Sequence, residues 1–392
     1  KQTDLAGVMQ HMADEEKAAA AKGGRIAGLR AARDVFYKGD IARTIDAFFR
    51  KEGGWLTYDD LAAYHSEVLP PLKMMFGKHE VYACGPWCQG PMLLQILALL
   101  DGYDFKALGH NSADYVHLIA EAIKLAAADR DAYYTDPNVI DVPIDYLLSP
   151  AYTKERRRMI RTGEAWPELP PPGVVSGWKG KPFRPTPTPK EVLATMTAEA
   201  DTSYMCVVDR HGNAFSATPS DGCTRSPTIP GTGLAMSSRG TQSFGFPEHP
   251  ASAAPGRRPR MTPNPAFAIL EGGRIMPFGT PGGDVQPQCM TQVLLNLTVW
   301  GMDPQTAVEA PRFGSASFPA SFEPHGYDPG LLRLEPGVGK ETGQALADLG
   351  HKIVWWPERA GAAGSACVII REPNGSMTGG ADHRRVAYAV GW

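Results

Sequence analysis

The sequence predicts a layered α+β body, on three observations. Helical patterns dominate the chain as far as Tyr133, short strand patterns follow Thr202, and strands then interleave with helices to the end. Lys17 to Phe36 is rich in Ala, Arg and Lys, and Asp40 to Lys51 sets Ile41, Ile45, Phe48 and Phe49 at helical spacing. After Gly53-Gly54, Thr57 supplies a capping-type start for the next helix. Glu80 to Ala83 is a short strand candidate, and Pro91 to Leu100 and Ser112 to Tyr133 read as two buried or amphipathic helices. Eight prolines between Gly163 and Lys190 predict an exposed, irregular connection. Beyond Thr202, Ser203 to Asp209 and Ala214 to Thr218 read as strands joined by the turn residues Arg210 to Asn213. Arg274 to Phe278 is a strand running into Gly279-Thr280-Pro281-Gly282-Gly283, and Pro287 opens a helix through Trp300. Strands at Ala366 to Arg371 and Ser376 to Thr378 flank a Pro373-Asn374-Gly375 turn.

The bulk numbers narrow the functional classes. In 392 residues, 39 basic side chains face 42 acidic ones for a net charge of -3, and no basic run gives nucleic acid or a membrane surface a footing. The longest apolar stretch, around Met92 to Leu100, is about half of what a bilayer span needs. Six cysteines are too sparse for a disulfide scaffold, and the spacing of Cys84 and Cys88 suits neither a redox pair nor a zinc knuckle, so buried structural thiols are expected. No cofactor or metal is expected either, because the ten histidines form no ligand spacing and no phosphate-binding glycine loop is present.

Two places could carry chemistry. Asp201-Thr202 enters a hairpin just beyond the proline-rich run. A threonine hydroxyl is a poor nucleophile without a base beside it, and a free α-amine on the same residue, titrating near pH ~8, can be that base. Alone the position decides nothing, since threonine is ordinary at a strand start. Thr280-Pro281-Gly282-Gly283 lies between a strand and a helix, where bare glycine N–H groups and a helix start favour negative charge. That pattern fits an oxyanion hole, a phosphate cradle or a tight turn.

Thr202 to Asp209 followed by Gly212-Asn213-Ala214 resembles the start of the small subunit of γ-glutamyltranspeptidases. Pro255-Gly256-Arg257-Arg258-Pro259 ending in Asn264-Pro265, then Pro281-Gly282-Gly283, then Ala310-Pro311-Arg312 are similar to later family segments. Upstream, Phe36-Tyr37-Lys38-Gly39, Gly54 to Thr57 with Asp60 to Tyr64, and Ala128 to Tyr133 with Asp136-Pro137 fit the large subunit in the same order. The resemblance implies a four-layer αββα N-terminal-nucleophile hydrolase sandwich. It places the end of a large subunit at residues 1–201, lacking its first part, and a small subunit at 202–392.

It also implies self-cleavage, with Thr202 attacking the carbonyl of Asp201 and the freed Thr202 then attacking a substrate amide. Gly282 and Gly283 would hold the oxyanion, and Ser220 would stand where the family has a second Thr bonded to the nucleophile. The implied partners are a small amide substrate and the chain's own two processed subunits as a heterodimer, which can itself pair.

The acyl-binding segment departs from the family. Where the family reads roughly "NNQMDDF", this chain has Ser237 to Phe244, with Arg239 near the Gln and Gln242 near the Asp. The family's "SS" pair has become Met261-Thr262. An arginine in place of an acid loses the partner of an α-ammonium and gains one for a carboxylate. The expected substrate therefore has an anionic acyl group bound through Arg239, Gln242 and Thr262, closer to plain amidohydrolases of the oxamate amidohydrolase type. The alternatives are a γ-glutamyl hydrolase or transpeptidase, and an unprocessed family member serving as a binding scaffold.

Overall fold

The computed structural model describes residues 1–178, 185–190, 202–223 and 226–392, which form two compact units. Lys1–Leu69 and Gly222–Ser238 make the first. Its helices are α1 (Thr3–Tyr37, kinked at Gly24), α2 (Asp40–Glu52) and α3 (Tyr58–Ala63). α1 starts earlier than its composition predicts because Val8 and Met12 join the apolar cluster with Ile41, Ile45 and Leu61. Thr57 caps α3 as expected: its hydroxyl accepts from the N–H of Asp60, whose carboxylate accepts from the N–H of Thr57.

Pro70–Asp221 and Arg239–Trp392 make the second unit, which carries every candidate site residue. A six-stranded antiparallel sheet is its centre. In spatial order the strands are β1 (Leu72–Phe76), β2 (His79–Ala83), β5 (Ala266–Leu270), β6 (Arg274–Gly279), β10 (Cys367–Arg371) and β11 (Met377–Ala381). The hairpin of β3 (Met205–Val208) and β4 (Ala214–Ala217) packs on β6 and β10. A smaller sheet joins β7 (Phe313–Ser315), β8 (Leu331–Leu334) and β9 (Lys352–Trp355), with β8 and β9 parallel. β1, β5 and this parallel pair were not anticipated. Their runs are short, and packing within the assembled unit, rather than local alternation, gives them a buried face.

Helices α4 (Gly90–Leu100), α5 (Ala113–Tyr133) and α6 (Gln286–Thr298) join the sheet in one apolar core. α4 is apolar on every side but that of Gln95, with Leu93, Leu94, Ile96 and Leu97 wholly buried. Each such side chain contributes about 1.5–3 kcal/mol against the entropy of ordering it. Pro91 suits the first turn, where its missing N–H is no loss, and Ser112 caps α5 by accepting from the N–H of Tyr115.

Alternation along β6 decides what lies on each face. Met276 and Phe278 enter the helix-covered core, so Gly279 faces the other way, where an added Cβ would come within 2.4 Å of the Tyr204 ring. The hairpin therefore lies against the far side of the sheet. Its turn is set by Asp209, whose Oδ1 accepts from the N–H groups of His211 (2.9 Å) and Asn213 (2.8 Å). The succession of helices, sheet and hairpin is a layered α+β arrangement.

Two expectations need revision. The described part of the proline-rich connection is irregular but not simply exposed, since Ala165, Pro170 and Gly173 are buried. The N–H of Gly173 donates to Asp129 (2.9 Å) and that of Leu169 to the Tyr327 hydroxyl (2.6 Å), so fixed acceptors substitute for aliphatic packing. The cysteines are all free, but only Cys88 and Cys289 are buried, and Cys223 is exposed. No helix among the described residues is long and apolar enough to cross a membrane.

Candidate active site

The hairpin sets Thr202 just ahead of β3, where the N–H of the next residue, Ser203, donates to the carbonyl of Pro219 (3.0 Å). That bond brings the two ends of the hairpin together. Thr202 Oγ1 consequently lies 2.6 Å from Ser220 Oγ. Thr202 is buried, 9% exposed. Asp201, whose carbonyl is the expected cleavage point, lies outside the described residues.

Ser220 also accepts a hydrogen bond from Nη2 of Arg239. Arg239 begins a short 3₁₀ turn, Arg239–Gln242, and its Nη1 donates to Gln242 Oε1 at 3.3 Å. Gln242 Nε2 donates in turn to Thr262 Oγ1 at 3.2 Å. Thr202, Ser220, Arg239, Gln242 and Thr262 are thus one hydrogen-bonded chain. Arg239 is 5% exposed, and its guanidinium lies 5.1 Å from the centroid of the Phe322 ring. A cation sits one side chain from the threonine hydroxyl, where it favours any negative charge that develops there. Gln242 and Thr262 are wholly buried behind it.

The glycine turn is reached from the far end of that chain. Gln89 Nε2 donates to the carbonyls of Thr262 (3.2 Å) and Gly283 (3.1 Å). Gly282 has φ 129° and Gly283 φ 56°, backbone that L side chains rarely adopt. A second tie comes from Arg385, which donates to the carbonyls of Thr202 (3.4 Å) and Gly361 (3.4 Å). Gly364, three residues further on, lies opposite Gly282: a Cβ added to Gly282 would sit 3.7 Å from its Cα. Threonine and turn are anchored to the same segment. Burial, with Cys367 adding to it, pushes the thiol of nearby Cys206 up to about 12, so it stays protonated.

A family model described as Gamma-glutamyltranspeptidase matches residues 1–392. The chain belongs to the gamma-glutamyltranspeptidase family. It is 32% identical over 360 residues to the Acylase ACY 1 proenzyme of Pseudomonas sp. (strain SE83), covering 89% of this chain and 56% of the relative. It is 30% identical over 361 residues to the oxamate amidohydrolase proenzyme of Klebsiella pneumoniae, covering 92% of this chain and 62% of the relative. A solved structure, LmbA2991HD, is 33% identical with a TM-score of 0.88, and the match covers this whole chain and 68% of that one. The chain therefore spans about three fifths of the length of these two proenzymes. The resemblance carried by the ordered motifs extends over the full sequence.

Among the described residues of this family member, His117, Glu121 and His351 could hold a metal, with ligand atoms within 4.8 Å of one another. Most of their bonds are already taken up, His351 Nδ1 being the exception among the described residues. His117 Nδ1 lies 2.9 Å from His351 Nε2, and Glu121 accepts from the Lys124 ammonium (2.8 Å) and from the N–H of Trp166 (3.1 Å). A cation would have to displace that ammonium. Burial, Lys124 and His117 hold the His351 imidazole down at about 3.

Three residues of this arrangement escaped the sequence reading. Gln89 and Arg385 lie outside any motif that marks them, and Phe322 sits in an irregular segment. Arg130 was visible only as part of a family match. It donates to Gln89 Oε1 (3.1 Å) and Asp284 Oδ1 (2.6 Å). Burial opposes its charge, but Asp131 and Asp284 outweigh that, so its guanidinium stays charged.

Proposed function

We propose that this chain belongs to a self-cleaving N-terminal-threonine amide hydrolase that acts on a small amide with an anionic acyl group. Thr202 Oγ attacks the carbonyl carbon of Asp201, and the C–N bond breaks as the acyl group shifts to oxygen. Water then hydrolyses the ester, leaving a carboxylate on Asp201 and a free α-amine on Thr202. In turnover that amine takes the hydroxyl proton as Oγ attacks the substrate carbonyl. The proton passes to the leaving amine, and water releases the acyl group. The N–H groups of Gly282 and Gly283 would stabilise the oxyanion. On this reading residues 1–201 belong to the large subunit and 202–392 are the small one, the two forming a heterodimer.

One observation carries the reading: Thr202 Oγ1 lies 2.6 Å from a hydroxyl that accepts from a buried arginine. It supports a nucleophilic role for Thr202, and an arginine at this place favours a substrate carboxylate over an α-ammonium. The match to a family model named for γ-glutamyl transfer favours a second reading, γ-glutamyl hydrolysis or transpeptidation with the same machinery. Turnover of glutaryl-p-nitroanilide against γ-glutamyl-p-nitroanilide separates them. Faster glutaryl turnover is expected, and faster γ-glutamyl turnover would overturn the assignment of the acyl group. A denaturing gel with N-terminal sequencing tests the cleavage, for which a fragment beginning at Thr202 is expected.

A further inference from the structure

Three successive carbonyls of the glycine turn are fastened by separate donors. Pro281 O accepts from the Thr280 hydroxyl at 2.8 Å, Gly282 O from the N–H of Val285 at 3.1 Å, and Gly283 O from Gln89 Nε2 at 3.1 Å and from the N–H of Gln286. In a trans peptide the C=O and N–H leave from opposite edges of one plane. Holding the Pro281 carbonyl therefore aims the N–H of Gly282, and holding the Gly282 carbonyl aims the N–H of Gly283. Among the described residues, no backbone carbonyl is paired with either N–H.

Two of these donors are side chains with settled orientations. Thr280 is wholly buried, and its oxygen accepts from the N–H of Ser365 at 2.7 Å, so its own proton is left for Pro281. The Gly364 backbone closes over it: a Cβ there would come within 2.8 Å of Thr280 Oγ1. Gln89 is equally buried, and Arg130, which can only donate, fixes its Oε1 and so turns its Nε2 toward Gly283.

We infer that the Thr280 hydroxyl is a positioning group for the oxyanion-binding N–H pair, while Gln89 braces only the next plane, that of Gly283 and Asp284. Thr280 acts through the Pro281–Gly282 peptide plane it holds rather than by touching substrate, because an oxyanion hole works only if its dipoles are aimed before charge develops. The inference rests on the amide-hydrolase reading above and deepens it.

The test is Thr280→Val in the full-length protein, which removes one hydroxyl at nearly constant shape, with Thr280→Ser as the rescue. Glutaryl-p-nitroanilide reports kcat and KM. The affinity of 4-boronobutanoic acid, whose boron adds to the nucleophile and places an anionic oxygen at the oxyanion position, reports the hole itself. Expected for Thr280→Val is a loss of about ten- to a hundredfold in kcat, part of the ~10²–10³ that a whole donor supplies. Boronate affinity should fall in step, with KM nearly unchanged and Thr280→Ser close to the parent. A raised KM at parental kcat, a loss in kcat without loss of boronate affinity, or a loss that serine does not restore overturns it. Should Thr280→Val not fold, the same pair of readouts on Thr280→Ala decides: a matched loss supports the clamp and parental values refute it. If instead Thr202→Ala still turns over the anilide, the fault lies with the parent reading.

Discussion

The two halves of the candidate site are held by different means. On the nucleophile side, side chains spread from Thr202 to Thr262 meet in a single file of hydrogen bonds. On the glycine side, consecutive residues at the end of a strand owe their geometry to backbone angles, and side chains only brace their carbonyls. The first can be cut one atom at a time, whereas the second should fail through conformation. The difference shows why losing a hydroxyl and adding a methyl group should damage the site in distinguishable ways.

Thr202→Ala presses hardest on that contrast. It should abolish the cut before residue 202 on a denaturing gel and lower turnover of glutaryl-p-nitroanilide by about 10⁴-fold or more, with folding retained. Gly282→Ala should come next, at about 10²–10³-fold in kcat. At φ 129° an alanine is strained whatever the space around it, so thermal stability should fall together with rate. Ser220→Ala should cost about ten- to a hundredfold by removing the partner of Thr202 and the acceptor of Arg239. Ser220→Thr, which keeps the hydroxyl, should stay close to the parent in steady-state kinetics. Equal losses in the two Ser220 variants would show that side-chain volume, rather than the file of hydrogen bonds, matters there.

The smallest effect separates stability from activity. His351 titrates at about 3 in the folded protein against 6.5 as its ordinary value, so the unfolded chain takes up its proton first. Its contribution to stability is complete above about 6.5 and is lost as pH falls toward about 3. His351→Gln should flatten that acid limb in a pH series of thermal melts while leaving kcat unchanged.

Much of the architecture was legible in local pattern. α4 and α5 announced themselves by apolar runs and capping residues, and the hairpin by Asp209 and its turn. β1 was not legible because the run Leu72–Phe76 carries no clear strand pattern of its own, and β5 because one of its partners, β2, lies far away in the chain. At the site, Thr202 and Gly282-Gly283 stood out by chemical type and by resemblance. Gln89 did not, since nothing in its neighbours says that its amide will meet carbonyls 173 and 194 residues further along. The proline-rich stretch misled for the same reason: composition cannot foresee that Asp129 and Tyr327 offer it fixed acceptors.

By itself the sequence determined the main helices, the Asp209 hairpin, the glycines that tolerate positive φ, and the family, because each is written in neighbouring residues. Which hydroxyl meets Thr202, where the charge of Arg239 falls and what holds each carbonyl of the turn were decided only by the tertiary structure. Those distances arise when packing brings separate segments together, and no local pattern encodes a distance across the fold.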